Sequence, residues 1–278
     1  MRLKFLILAT SLLFGLEGFT QEIGPFKDQL FEHGRTLERQ GNYRLIDYNE
    51  QTDVNGRDEI PVDKAHDNRV YLLGEYEQSR RLNRLQVHQI GSLDSSNFVV
   101  IFIHGAGGNR DLGFNDWSFG GNFNRLKNLA VRNGGAYISP SVSFNQNSFN
   151  RVGEMITTLK SRNPTIKVIL SCASQGGSLC WSLAQNNSYS NQIAGMVFLG
   201  SAVNMPSVSI PFISQGKPIV FAHGTRDPIL PWQNLMNSYQ RILNSNRNYP
   251  VRYYLFNGGI HGTPVRMVDW RLVLNWIL

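Results

Sequence analysis

The sequence predicts an α/β fold: a mostly parallel, doubly wound sheet with helices on both faces and a small cap or none. Three observations predict it. From Phe98 onward, short strand-like segments alternate with longer helix-like ones. Several of the short segments are almost continuously apolar, as strands buried on both faces must be. Gly, Pro, Ser or Asn bound each of them, and alternation of this kind calls for right-handed crossovers between parallel strands. The chain has 278 residues, enough for one large α/β domain or two small ones, and 41% of them are hydrophobic.

The strands are expected at Phe98–Ile103, Ala136–Ser139, Ile166–Ser171, Gly195–Leu199, Ile219–Ala222 and Arg252–Phe256, each rich in Val, Ile or aromatics. Helices are expected at Phe123–Arg132, Phe149–Ser161, Gly177–Ala184 and Trp232–Leu243, with a last one over Val265–Leu278. Upstream the pattern is weaker. Asp28–Arg39 reads as a short polar helix, Asn49–Asn68 as loop, and Val70–Glu75 and Leu85–Ile90 as antiparallel strands at the sheet edge. No long insertion separates Leu199 from Pro218, hence the expectation of a small cap. The stretch Met205–Pro211 within it reads either as an acyl-pocket wall or as a proline-stiffened surface connection.

The first twenty residues stand apart. Arg2 and Lys4 precede an apolar run from Phe5 to Leu16, and small residues follow, as in a secretory signal peptide cut after Thr20. The run is short for a membrane span; a retained anchor helix is the alternative. A secreted or periplasmic location follows from the first reading. The only two cysteines, Cys172 and Cys180, exclude a disulfide-built scaffold. Two buried thiols acting as small apolar residues are the favoured reading, and a bridge between them depends on their Cα separation.

Lys and Arg number 27 against 20 Asp and Glu, a net charge of +7. Losing Arg2, Lys4 and Glu17 with the leader leaves +6. That excess suits an anionic surface. Without a dense basic run or binding motif, nucleic acid is not expected as a partner. Arg80, Arg81 and Arg84 read as a solvated charged face.

Four pieces of chemistry follow the strands in chain order. His104-Gly105-Ala106-Gly107-Gly108 leaves backbone N–H groups open to an oxyanion, Ala106 being the candidate donor. Cys172-Ala173-Ser174-Gln175-Gly176 places a serine among small residues between a strand and a helix. Only small side chains fit two positions either side of a serine in so tight a turn, which lifts the hydroxyl clear of the sheet. Ser174 is the candidate nucleophile and the Gln175 N–H the second oxyanion donor. Asp227, in His223-Gly224-Thr225-Arg226-Asp227-Pro228, leaves the carboxyl end of a strand and suits the orienting of a base. His261, in Gly258-Gly259-Ile260-His261-Gly262, is the candidate base, the one histidine of six that lies downstream of both Ser174 and Asp227. His104 and His223 read as turn-forming residues. In Asn115-Asp116-Trp117 the tryptophan reads either as a substrate contact or as a loop anchor.

The order Ser174, Asp227, His261 resembles the α/β-hydrolase superfamily over roughly residues 85–278. Ser174-Gln175-Gly176-Gly177 and the His-Gly-x-x-Asp-Pro form around Asp227 resemble the phospholipase/carboxylesterase branch, which includes the acyl-protein thioesterases. Secreted feruloyl and polyhydroxyalkanoate esterases show similar motifs. The resemblance implies an α/β-hydrolase catalytic domain at 85–278; the residues before it read as a signal peptide at 1–20 and an N-terminal extension packed on the core at 21–84. It implies hydrolysis of small-molecule or polymer-borne carboxylic esters through an acyl-enzyme on Ser174, with no cofactor and no metal. Three features depart from the branch: Cys172 opens the elbow, the N-terminal segment is long, and a leader is present. An acyltransferase with the same triad, or a non-catalytic binding protein on this scaffold, are the alternatives.

Overall fold

The computed structural model describes residues 22–54, 78–203, 205 and 207–278. The leader, the strand expected at Val70–Glu75 and most of the loop expected at Asn49–Asn68 lie outside these residues. Ten strands form one sheet: β1 (Thr36–Gln40), β2 (Tyr43–Asp47), β3 (Gln78–Leu82), β4 (Leu85–Ile90), β5 (Phe98–Ile103), β6 (Gly135–Pro140), β7 (Lys167–Ala173), β8 (Ile193–Leu199), β9 (Ile219–Gly224) and β10 (Val251–Asn257). Their spatial order is β1-β2-β10-β9-β8-β7-β5-β6-β4-β3. Every neighbouring pair from β2 through to β6 is parallel, and antiparallel pairing is confined to the two edges. The chain runs outward from β5 to β6, returns to β7 on the other side of β5, and then continues away. That reversal makes β5 and β7 the topological switch point, where an open α/β sheet leaves a crevice beyond its strand ends.

The central strands are buried on both faces, and alternate residues feed two separate cores. Val99, Ile101 and Ile103 of β5 join Val168, Leu170 and Cys172 of β7 against helices Gln146–Arg162, Gly176–Gln185 and Trp232–Ser245. Phe98, Val100 and Phe102 pack with Ile169 and Ala173 against helices Asn122–Arg132 and Trp270–Ile277 on the other face. Caps set several boundaries. Asn145 accepts from the Ser148 N–H and starts its helix at Gln146, three residues before the expected Phe149. The last expected helix is broken into Thr263–Met267 and Trp270–Ile277, because Asp269 turns its carboxylate onto the Arg271 and Leu272 amides and opens a new helix. Among the described residues no helix is long and apolar enough to cross a membrane.

The N-terminal segment differs most from expectation. Asp28–Arg39 is not a helix: one turn at Asp28–Leu30 is followed by β1, which forms a hairpin with β2. Gly41 takes the left-handed conformation that a tight hairpin needs, φ +56°. All of β1 is exposed, so no apolar alternation marks it in the sequence. Asn49 caps a helical turn at Glu50–Asp53, where loop was expected. Of the arginine cluster, Arg81 and Arg84 are exposed, whereas Arg80 is half-buried and its guanidinium is pushed below its ordinary pKa by burial.

A buried charge network holds this segment down. Arg125, fully buried, pairs with Asp28 at 3.0 Å and Asp269 at 2.9 Å, and its guanidinium lies 4.9 Å from the Phe31 ring. Arg271 adds a second contact to Asp28 at 3.0 Å. Burial alone would raise the Asp28 pKa, but the Phe26 amide and both arginines hold it below the ordinary value. His33 sits edge-on to Tyr254 and Phe256, its Nε2 accepting from the Asp269 N–H at 3.2 Å. Burial, only partly opposed by Asp269, lowers its pKa from 6.5 to about 4.

His33 therefore makes the fold acid-sensitive. Its folded pKa lies below its unfolded one, so the unfolded chain binds more protons between the two values. Stability is full above pH 6.5 and declines as pH falls toward about 4. The loss amounts to about 3 kcal/mol. Urea unfolding at pH 7 and pH 4.5 should show this slope in the wild type and a flatter one in His33→Gln, which keeps an acceptor without the titration. Equal slopes would contradict the assignment.

Candidate active site

The site lies where the carboxyl ends of β5, β7, β9 and β10 deliver four loops. The β7 loop comes first because its geometry is the most demanding. Ser174 has φ +49°, one of few non-glycine residues in the left-handed region. Such a conformation costs about 1–3 kcal/mol and persists only when its surroundings enforce it. Here they do: the Ser174 N–H donates to Leu199 O at 3.1 Å, and Ser174 O accepts from Ala202 and Gly177. A Cβ on Gly176 would lie 2.5 Å from Ile103 O and 2.6 Å from His104 O, and one on Gly105 would lie 2.8 Å from the Ser174 Cβ. The Gly105 loop and the serine turn thus pack closely against one another. The helix Gly176–Gln185 begins directly behind the serine, one residue earlier than expected.

Cys172 and Cys180 form a disulfide, where two thiols were the favoured expectation. Their Cα atoms are 6.4 Å apart, within bridging range. The strand end and the start of the second helical turn fold back on one another through the tight serine turn, so residues eight apart in sequence meet. The bridge is buried and ties the two sides of that turn together.

Asp227 and His261 are in contact. His261 Nδ1 lies 2.7 Å from Asp227 Oδ2, and the aspartate side chain is wholly buried while the histidine is 27% exposed. The two carboxylate oxygens divide the work. Oδ1 accepts from the Ile229 and Leu230 amides at 2.8 and 3.0 Å, an Asx-type turn that fixes the side chain and leaves Oδ2 for the histidine. Burial alone would raise the Asp227 pKa; the Leu230 amide, His261 and the Ile229 amide outweigh it and hold it below the ordinary value. The two loops are cross-tied, Arg226 N–H donating to Gly259 O at 2.8 Å and Thr225 N–H to Phe256 O at 3.0 Å. A Cβ on Gly224 would lie 2.3 Å from Gly259 O, so this approach also requires glycine.

His104 and His223 are held by contacts within and beside their own turns. His104 Nδ1 lies 2.7 Å from Gly105 O and Nε2 accepts from the Val142 N–H at 3.1 Å, which fixes a neutral ring with its proton on Nδ1. Burial lowers its pKa. His223, wholly buried, keeps Nε2 3.6 Å from Asp227 Oδ2, and burial lowers its pKa too. Trp117 is 51% exposed, so it does not anchor its loop in the core. Asn115 and Asp116 do the anchoring: Asn115 accepts from the Trp117 and Ser118 amides, and Asp116 pairs with Lys127 at 2.8 Å.

Ser174 and His261 open on one small cavity of ≈ 160 Å³, walled by Ala106, Leu112, Phe119, Leu199 and Val265. Among the described residues, neither the Ala106 nor the Gln175 amide has an internal acceptor. Leu112, Phe119 and Val265 were not singled out from the sequence, where only the paired glycines after Phe119 hint at an unusual turn. Met205 and Ile210, expected either in an acyl pocket or in a surface connection, are buried in the core instead. Among the described residues no cluster of three His, Cys, Asp or Glu is placed to hold a metal.

No protein-family model and no curated protein matches the sequence. Solved structures do match. A thermostable esterase superimposes with a TM-score of 0.55 at 14% identity, over 73% of this chain and 62% of that one. Esterase PE8 gives 0.52 at 12% identity, over 70% and 99%. MGS-M1, an α/β-hydrolase enzyme from a Medee basin deep-sea metagenome library, gives 0.52 at 14%, over 73% and 97%. The chain has the α/β-hydrolase fold.

The packing at the serine turn is testable through Gly176→Ala. The added methyl meets carbonyl oxygens of a buried strand end, which cannot swing aside. Urea unfolding should show a loss of about 2–4 kcal/mol. A neutral substitution would mean that β5 and the serine turn are not in backbone contact.

Proposed function

We propose that this protein is a serine hydrolase that cleaves carboxylic esters through an acyl-enzyme on Ser174. The observation that carries the proposal is the contact of the buried Asp227 carboxylate with His261, a histidine that opens on the same cavity as a serine held in a left-handed turn. In this reaction His261 Nε2 takes the hydroxyl proton as Ser174 Oγ bonds to the ester carbonyl carbon. The oxyanion forms between the Ala106 and Gln175 amides, whose lack of an internal acceptor suits that task. When the C–O bond to the alcohol breaks, His261 returns the proton to the departing oxygen. Water then adds to the acyl carbon while His261 takes its proton, and Ser174 regains a hydrogen as the acid leaves. Asp227, ionised and desolvated, keeps the His261 proton on Nδ1 and stabilises the imidazolium that forms in each half-reaction.

The enzyme is proposed to act outside the cytoplasm. The leader-like first twenty residues support this, and so does the Cys172–Cys180 bridge, which persists in oxidising compartments. The net positive charge left after leader removal suits a substrate carried on an anionic surface.

Hydrolysis of p-nitrophenyl acetate tests the reading. Ser174→Ala should lower kcat by about three to six orders of magnitude, and Asp227→Asn by about four, since the amide favours the wrong histidine tautomer. Near-normal turnover in Ser174→Ala would end the proposal.

A further inference from the structure

The cavity beside Ser174 has a wall that the reaction itself does not explain. Phe119, Gly120 and Gly121 are three consecutive left-handed residues, with φ +55°, +61° and +74°. Glycine adopts this conformation freely; phenylalanine does not, and strain of this kind gathers at functional surfaces. The Phe119 ring lies edge-on to Phe123 at 5.5 Å, with the Arg266 guanidinium 5.5 Å from its centre, and it borders the cavity. Leu112 faces the same space from a loop held rigidly below: Tyr137 Oη donates to Gly113 O at 2.5 Å, and Lys127 Nζ to Phe114 O at 2.8 Å. Leu199 and Val265 complete an apolar lining.

Size and chemistry together define what fits. At about 30 Å³ for a water-sized group, a cavity of ≈ 160 Å³ takes about five non-hydrogen atoms. Its aliphatic and aromatic walls suit a hydrocarbon tail, whereas a sugar hydroxyl placed there would lose its hydration without a partner. The acyl group is also the part of an ester that stays bonded to Ser174 through both half-reactions, so it needs fixed space beside that residue. The alcohol departs and needs an open route.

We propose, resting on the serine-hydrolase reading above, that this cavity is the acyl site for esters of short-chain carboxylic acids, roughly two to six carbons long, and that Phe119 sets the upper limit. The strained turn serves to drive the ring into the cavity, where a relaxed turn would leave room for a longer chain.

The test is a chain-length profile. Wild type, Ser174→Ala, Phe119→Gly and Leu112→Trp are assayed on p-nitrophenyl acetate, butyrate, hexanoate, octanoate and decanoate, and on butyrate esters of methyl to octyl alcohols. Phe119→Gly suits the left-handed backbone and empties the wall; Leu112→Trp fills the cavity from the other side. Wild-type kcat/KM should fall about tenfold or more from hexanoate to decanoate. Phe119→Gly should raise the decanoate-to-butyrate ratio about tenfold, and Leu112→Trp should narrow the profile toward acetate. The alcohol series should be nearly flat in every variant. An unchanged acyl profile in both wall variants, or a shift in the alcohol series instead, overturns the acyl-site assignment while leaving the serine-hydrolase reading intact. Ester turnover that survives Ser174→Ala, or a wild type that turns over none of these esters, overturns both.

Discussion

Ser174 sits in a left-handed turn because the chain must pass from β7 into a helix within two residues while another strand end lies against it. The space between Gly176 and the carbonyls of Ile103 and His104 does not admit a methyl group, nor does that between Gly105 and the Ser174 Cβ. The rest of the site inherits its geometry from this contact. It sets the loop after β5 against the serine turn, and it starts the helix Gly176–Gln185 two residues beyond the serine. The disulfide between Cys172 and Cys180 spans the same turn and joins the strand that enters it to the helix that leaves it. The strain of the turn is thus borne by a sheet buried on both faces, where little can relax.

The electrostatics of the site follow a similar logic of division. Asp227 is out of water, and a buried carboxylate without partners would take up a proton. Two amides on one oxygen and His261 on the other keep it ionised. Burial keeps the neighbouring His223 toward its neutral form, so it does not compete as a cation for the same carboxylate. The second charged network, around Arg125, lies on the opposite errand: it binds the N-terminal segment to the helices Asn122–Arg132 and Trp270–Ile277 and takes no part in the cavity.

The parallel strands were legible because burial on both faces writes a continuous apolar run into the sequence, as in Phe98–Ile103. Ser174, Asp227 and His261 could each be placed in a loop because each lies within four residues of the end of such a strand. What stayed hidden has physical reasons. β1 carries no burial signal, since all its residues face solvent and only backbone pairing defines it. The break at Asp269 depends on a side chain choosing two amides over solvent, a choice that apolar periodicity does not register. The Cys172–Cys180 bridge required a Cα separation that only the folded turn supplies. Phe119 and Val265 reach the cavity from segments far apart in the chain, so no local pattern joins them to Ser174.

The central claim is that Ser174 is an activated nucleophile, distinguished from the other serines by its turn and by the Asp227–His261 pair. Labelling with a fluorophosphonate, followed by peptide mapping, tests it most directly, because the reagent bonds only to a serine whose proton has somewhere to go. The account predicts a single adduct on Ser174, greatly slowed in His261→Gln. An unlabelled protein, or an adduct on another residue, would contradict it.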